Sequence, residues 1–142
     1  MEVWSYHIPT KVIFGKKSLE KITDVVESFK PNRIMLVTGR KSMKKLGVTD
    51  RIIDYLKNCR VVVYNKVEQN PDVSTVEKGI RFLKDEKCDL VIGLGGGSTI
   101  DTAKAVSVLS KNQRPVDEYL SGKRKIVDRG VPLIAIPTTA GT

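Results

Sequence analysis

The chain is built around the sequence Asp89-Leu-Val-Ile-Gly-Leu-Gly-Gly-Gly-Ser-Thr-Ile-Asp-Thr-Ala-Lys104. Its apolar run, Leu90–Ile92, predicts a buried strand. The sequence then turns through Gly95-Gly96-Gly97 and continues to Leu109 with apolar residues at helical spacing, which predicts a helix capped by Ser98. We therefore expect a strand, a glycine turn and a helix in direct succession.

The glycine turn is a candidate anion site. Glycine takes positive φ, and without a Cβ it lets a ligand approach the backbone. The first N–H groups of a helix lack intrahelical partners and lie at the positive end of its dipole, an arrangement that binds phosphate. The alternative is that the glycines only let the helix approach the strand. Three glycines followed by Ser98 favour phosphate, although the spacing matches neither Gly-x-Gly-x-x-Gly nor the Walker pattern.

The composition is that of a globular domain with an excess of positive charge. The 142 residues are 40% hydrophobic and 29% charged, which fits one domain. Lys and Arg number 25 against 16 Asp and Glu, a formal net charge of +9. Because this charge is spread and aromatic residues are few, we attribute it to a solvated surface and an anionic ligand. The alternative is a non-catalytic module that binds phosphate or nucleic acid.

Several features predict a cytoplasmic protein without a membrane partner. No apolar run reaches the length of a membrane span, and the first residues lack the pattern of a signal peptide. Cys59 and Cys88 lie far apart, so we expect free thiols. His7 is the only histidine, and without companions it is expected to have a structural role.

Strands and helices alternate along the chain. Apolar strands separated by helices predict an α/β fold with a Rossmann-like, mostly parallel sheet and helices on both faces. The predicted strands are two short ones within Trp4–Phe14, then Ile34–Val37, Val61–Tyr64, Leu90–Ile92 and Val131–Ile136. The predicted helices begin at Ser18, at Thr49, at a capping box over Ser74–Glu77 and at Ser98, with one further turn at Val116–Leu120.

Four loops at one rim of this sheet are the predicted ligand site. In parallel sheets, ligands bind beyond the carboxyl ends of the strands. Polar and glycine-rich loops on one rim are what a dinucleotide requires, with the pyrophosphate held by Gly96, Gly97 and Ser98. The loops carry Gly39-Arg40, Asn70, Gly95-Gly96-Gly97-Ser98 and Thr138-Thr139.

These pieces resemble the iron-containing (group III) alcohol dehydrogenases. The sequence Gly95-Gly96-Gly97-Ser98-x-x-Asp101-x-Ala103-Lys104 is similar to the signature of that family. The resemblance covers the whole chain and matches the N-terminal half of such an enzyme. It implies the nucleotide-binding domain of a metal-dependent dehydrogenase that oxidises alcohols, or reduces aldehydes and ketones, by hydride transfer. Further similar pieces are Pro9-Thr10, Phe14-Gly15, Val37-Thr38-Gly39, Asn70-Pro71 and Ile136–Thr142.

The resemblance also implies roles for individual residues. It places Asp101 near the nicotinamide and the substrate; the alternative is a first-turn acid that complements the helix dipole. It places Thr138 and Thr139 at the adenosine and Asn70 against the cofactor; the alternative is turn formation. We expect Lys104 to be an exposed helix lysine. The expected cofactor-binding residues are Gly39, Arg40, Ser42, Asn70, Gly95, Gly96, Gly97, Ser98, Thr99, Asp101, Thr138, Thr139 and Thr142.

The same resemblance places the catalytic metal outside this chain. In the family, an aspartate and several histidines of a second, helical domain hold Fe²⁺ or another divalent metal. The chain stops at Thr142 inside the motif that follows Ile136, so we expect residues 1–142 to be a truncated dinucleotide-binding domain, inactive alone. The related alternative is a domain of a glycerol dehydrogenase or dehydroquinate synthase, and the terminal motif favours the alcohol dehydrogenases.

Cofactor choice is predicted from Gly39. An NAD site commonly has an acid that binds the adenosine ribose and repels a 2′-phosphate. The resemblance implies an aspartate here in NAD-preferring members, whereas this sequence has Gly39 followed by Arg40, Lys41 and Ser42. Guanidinium and hydroxyl groups suit a phosphate. We therefore predict NADP over NAD; the alternative is that Gly39 only ends the strand and the basic residues face water.

Overall fold

The chain folds around one four-stranded parallel sheet. The computed structural model of the protein describes residues 3–5, 7–40, 42–112 and 115–140. The strands are β1 (Ile34–Gly39), β2 (Val61–Val67), β3 (Leu90–Gly95) and β4 (Leu133–Pro137), in the order β2-β1-β3-β4. All neighbouring strands pair in parallel, so the loops that leave them meet at one rim.

Helices cover both faces of the sheet, as predicted. Alternate residues of the central strands feed two separate cores, so that Leu36 and Ile92 face one group of helices while Val37 and Val91 face the other. This confirms the α/β, Rossmann-like fold. No described helix is long and apolar enough to cross a membrane. The first group is α1 (Ile22–Phe29), α2 (Ser42–Lys45) and α3 (Val48–Tyr55); the second is α4 (Val73–Asp85), α5 (Gly97–Leu109) and α6 (Val116–Leu120).

Helix α5 packs at close range on two sides. A Cβ at Gly93 of β3 would lie only 2.7 Å from the Cβ of Ala103. A Cβ at Gly79 of α4 would lie 2.6 Å from Cγ2 of Val106. Because glycine permits both contacts, α5 is held tightly between the sheet and α4. The start of α5 is thereby fixed relative to the end of β3.

Asp89 ties together the other end of the sheet. Its carboxylate accepts hydrogen bonds from the N–H groups of Asn32, at 2.9 and 3.0 Å, and of Arg33, at 3.1 Å. The Asn32 side-chain amide donates a further bond of 2.8 Å. Burial raises the pKa of the Asp89 carboxyl, but these hydrogen bonds lower it by more, so its pKa lies below the ordinary value. The start of β3 is thus joined to the turn before β1.

The N-terminal segment differs from the prediction. Residues 3–5 and 7–14 form no strand, and Trp4 and Phe14 are 82% and 98% exposed. Alternating and β-branched residues favour a strand only where another strand offers them a ladder of hydrogen bonds. Among the described residues, this segment has no such partner. Ser18 begins a 3-10 helical turn, Ser18–Lys21, which leads directly into α1.

Two predicted helix caps are displaced. Gly96, and not Ser98, is the N-cap of α5, so Ser98 lies in its first turn. Asp72, and not Ser74, caps α4 by accepting a 2.9 Å hydrogen bond from the N–H of Thr75. The Asp72 carboxylate also accepts bonds from the hydroxyls of Ser74 and Thr75. An ionised carboxylate accepts several bonds at once, which explains why it displaces the serine.

Candidate functional site

The turn after β3 opens a gap at the rim of the sheet. Gly95 has a φ of 153°, which side chains rarely adopt, and a Cβ there would lie 2.8 Å from Oγ1 of Thr99. A Cβ on Gly97 would meet no atom within 4 Å. The backbone therefore needs glycine at position 95, whereas Gly97 borders open space.

Backbone N–H groups line this gap. The first bond within α5 runs from the N–H of Ile100 to the carbonyl of Gly96, at 3.0 Å. The N–H groups of Gly97, Ser98 and Thr99 precede that bond and have no partner in the helix. Behind them lies the dipole of a helix of 13 residues. The gap therefore suits a phosphate or pyrophosphate group, and a side chain at position 97 would fill it.

The loop that leaves β4 lies against the same turn. The N–H of Thr138 donates a 2.9 Å hydrogen bond to the carbonyl of Gly95. A Cβ on Gly96 would lie in ordinary contact with the Thr139 methyl, 3.6 Å away. Both threonines are exposed at this rim of the sheet. Thr142, which was expected to take part, lies outside the described residues.

The loops that leave β1 and β2 also meet. Gly39 pairs with Val67, after an irregularity in the register that follows Val37. The next residues, Arg40 and Glu68, form an ion pair between Nη2 and Oε1, with 61% and 57% of their side chains exposed. Position 39 itself offers no carboxylate, but Glu68 brings one to the neighbouring strand end.

Sequence reasoning missed Glu68. It ended the second strand at Tyr64, whereas β2 continues to Val67. Asn65 and Lys66 are exposed residues within the strand, and two consecutive polar residues are also typical of a loop. The available signal was Val67, which keeps the two-residue spacing of Val61 and Val63 beyond Asn65 and so indicates a longer strand.

The remaining predicted residues of these two loops have less defined surroundings. Asn70 is exposed and has a φ of 53°, the left-handed conformation that asparagine tolerates well. It leads through Pro71 to Asp72, whose pKa is lowered mainly by the hydrogen bond from the N–H of Thr75. Ser42 is the first residue of α2, and Lys41 lies outside the described residues.

The first two turns of α5 carry the other predicted residues. Thr99 is buried beneath the turn, and the carbonyl of Ser98 accepts a 2.8 Å bond from the hydroxyl of Thr102. Asp101 lies in the second turn with 73% of its side chain exposed, and it pairs with Lys104 at 3.5 Å. Since it is outside the first turn, its interpretation as a dipole-complementing acid does not apply.

The described residues do not supply a metal site. Nowhere in residues 3–5, 7–40, 42–112 and 115–140 do three His, Cys, Asp or Glu side chains come together to hold an ion. His7 is exposed and stands outside the four loops.

The chain has relatives that match it along nearly its whole length. A family model described as iron-containing alcohol dehydrogenase matches residues 9–142. The choline dehydrogenase of Bacillus subtilis (strain 168) is 37% identical over 142 residues, which cover 97% of this chain and 35% of that protein.

Solved structures agree with this match. NADH-dependent butanol dehydrogenase A from Thermotoga maritima superposes with a TM-score of 0.92 at 32% identity, covering 100% of this chain and 36% of that one. Sulfoacetaldehyde reductase from Bifidobacterium kashiwanohense, solved in complex with NAD⁺, gives 0.90 at 29% identity, covering 99% and 37%. The chain thus spans between 35% and 37% of the length of these three relatives.

Proposed function

The chain belongs to the iron-containing alcohol dehydrogenase family, and from this membership we propose that it is the dinucleotide-binding domain of a metal-dependent, NAD(P)-linked alcohol dehydrogenase. The complete enzyme would interconvert small alcohols with aldehydes or ketones. The bound nicotinamide supplies the hydride chemistry. Fe²⁺ or another divalent metal would be held by residues beyond those described here, and the free thiols of Cys59 and Cys88 support action in the cytoplasm.

The open glycine cradle at the start of α5 carries this proposal. In it, the N–H groups of Gly97 and Ser98 bind the pyrophosphate, and the Ser98 hydroxyl adds a donor. The bond from Thr138 to the Gly95 carbonyl, at 2.9 Å, holds the last loop beside the cradle.

The remaining predicted residues would contact the other parts of the dinucleotide. We assign Thr138 and Thr139 to the adenosine and place Asn70 against the cofactor, since their loops leave strands at the same rim. Asp101 faces solvent one turn further along α5, where it would orient the nicotinamide side. Its exposed pair with Lys104 is weak enough for either side chain to turn towards a ligand.

Direct titration tests the proposed function. We expect NADP and NAD each to bind the purified chain at a single site, measured by calorimetry. A single-stranded oligonucleotide serves as the comparison ligand for the basic surface. Affinity for the oligonucleotide with a steep salt dependence, and no binding of either dinucleotide, would contradict the proposal.

We further propose that NADP is preferred. Gly39 leaves room at the end of β1, and Arg40 offers a planar guanidinium that suits a 2′-phosphate. The two structures named above are described with NADH or NAD⁺, so the preference rests on the residues of this chain alone. NADP should bind more tightly than NAD at low salt, with a difference that shrinks as salt is added. Gly39→Asp should reverse the order, whereas equal affinities in the unmodified chain would contradict the preference.

A further inference from the structure

We propose that Glu68 is a specificity-determining residue for the adenosine ribose, an inference that rests on the proposed function. Its carboxylate competes with a 2′-phosphate for Arg40. The same carboxylate takes the place of the acid that position 39 lacks. The ion pair between Arg40 and Glu68 would then set the ratio of NADP to NAD affinity.

The sheet itself places these two side chains together. Gly39 and Val67 are neighbours in the parallel register of β1 and β2, and Arg40 and Glu68 are the residues that follow them. Each therefore leaves its strand at the same level of the rim. Val67 is only 4% exposed, so the base of Glu68 is anchored by a buried neighbour.

The loop after Glu68 is anchored at its far end as well. Asn70 turns the chain with a φ of 53°, and Asp72 caps α4 through the N–H of Thr75 at 2.9 Å. The loop between Val67 and Asp72 is short and held at both ends. The backbone at Glu68 is consequently held next to the end of β1, where Arg40 lies.

The exposure of the ion pair allows it to exchange partners. With 61% and 57% of the side chains exposed, water already solvates both groups, so the pair adds little to folding stability. Arg40 can therefore turn from Glu68 to a ligand without disturbing the fold. The competition affects ligand binding and leaves the structure intact.

The two groups act in opposite directions on the two cofactors. A 2′-phosphate attracts the Arg40 guanidinium but is repelled by the Glu68 carboxylate beside it. A free ribose has hydroxyls that can donate to the carboxylate, and it gains nothing from the guanidinium charge. Glu68 therefore favours NAD and Arg40 favours NADP, so the Glu68 carboxylate reduces the preference for NADP that Arg40 provides.

The test uses probes that contain only the adenosine half, namely 2′,5′-ADP and 5′-AMP. Glu68→Gln should tighten 2′,5′-ADP binding by about threefold to fivefold at low salt, the size expected for one exposed charge pair, and should leave 5′-AMP unchanged or weaker. Arg40→Gln should weaken 2′,5′-ADP more than 5′-AMP. When Arg40 is already replaced by Gln, Glu68→Gln should increase the affinity for 2′,5′-ADP by less than it does in the unmodified chain. The reason is that no Arg40 guanidinium is then released from the ion pair.

Glu27→Gln is the matched control. It makes the same change in charge at an exposed position in the last turn of α1, before the amino end of β1. If Glu68→Gln changes the ratio of the two affinities no more than Glu27→Gln does, the inference is wrong while the nucleotide site stands. An equal gain in the presence and absence of Arg40 would also overturn the competition. Failure of both probes to bind the unmodified chain would overturn the nucleotide site and this inference together.

Discussion

The three glycines of the turn have different tasks, although they are adjacent and chemically identical. Gly95 takes a φ of 153° and sits against Thr99, so its role is conformational. A Cβ on Gly96 would touch the Thr139 methyl, whereas a Cβ on Gly97 would meet no atom within 4 Å. Substitution should therefore affect the fold at the first position and ligand binding at the third.

Gly97→Val should abolish nucleotide binding while the fold survives. The new side chain meets no protein atom within 4 Å of its Cβ, but it occupies the space where the pyrophosphate would lie. Calorimetric titration with NADP and thermal unfolding of the same sample measure the two effects. Gly96→Val should behave similarly, since its Cβ has an ordinary contact of 3.6 Å.

Gly95→Val provides the contrasting variant. The left-handed backbone and the contact with Thr99 should destabilise it by about 1 to 3 kcal/mol, within the range for a strained residue. Unchanged NADP affinity in Gly97→Val would show that the glycines serve only the packing of α5.

Elements with strong periodicity could be predicted from the sequence, and those defined by a partner could not. The strand before the glycine turn and the helix after it follow from apolar runs and helical spacing, and the structure confirms both. The segment Trp4–Phe14 also has a strand-like pattern, but a strand needs a neighbour that the pattern does not specify. The end of β2 was misplaced for a related reason: on an edge strand, polar residues such as Lys66 occur within the element and look like a loop.

The candidate site shows the same division. The glycine turn and the four loops could be located because parallel strands end at one rim. The pairing of Arg40 with Glu68 could not, since it depends on the register between two strands. Local caps were also misassigned, because Ser74 and Asp72 both satisfy the sequence pattern of a cap and only the carboxylate accepts three bonds.

Asp89 makes the stability of the sheet depend on pH. Its folded-state pKa is lowered, so its contribution is complete above the unfolded value of about 3.9 and is lost as the pH falls through the folded value. Asp89→Ala should destabilise the chain by about 1 to 2 kcal/mol at pH 7, because the N–H groups of Asn32 and Arg33 lose their acceptor. Urea unfolding measured at pH 7 and at about pH 3 should show that the variant loses less free energy of unfolding between these two pH values than the unmodified chain does.

Asp85→Ala is the control for this prediction. Asp85 is the exposed last residue of α4, and its replacement should change the urea midpoint little. If Asp89→Ala unfolds at the same urea concentration as the control variant, the hydrogen bonds to Asn32 and Arg33 contribute nothing measurable.

At the scale of the whole molecule, the chain carries the nucleotide cradle but no described set of metal donors. It also spans only 35% to 37% of the length of the relatives compared above. We therefore expect it to bind NADP without oxidising alcohols, even when Fe²⁺ is added. Alcohol oxidation is measured as the increase in absorbance of the reduced nicotinamide when the chain is incubated with NADP and each of several small alcohols. Turnover above that of an identically purified blank preparation would contradict the expectation.

The two edges of the sheet differ in their protection against pairing with another chain. The order β2-β1-β3-β4 leaves β2 and β4 outermost, and β2 carries the exposed charge of Lys66. Strand β4 has the sequence Leu133-Ile-Ala-Ile-Pro137, without a charge, and only its final proline opposes pairing. Within the described part of the chain, nothing pairs with its outer edge. An apolar strand edge of this kind is a site for self-association.

Self-association through β4 should therefore appear as a rise in mass with concentration, measured by light scattering. Ala135 is the exposed centre of the strand, so Ala135→Lys should place a charge on the edge and shift the chain towards monomer. Ala140→Lys adds the same charge in the exposed loop beyond the strand and should leave association unchanged. A monomer at all concentrations would mean that the sheet is self-sufficient. If both lysine variants shift equally towards monomer, the effect comes from the higher net charge and not from the edge of β4, because repulsion between whole chains does not depend on where the charge is placed.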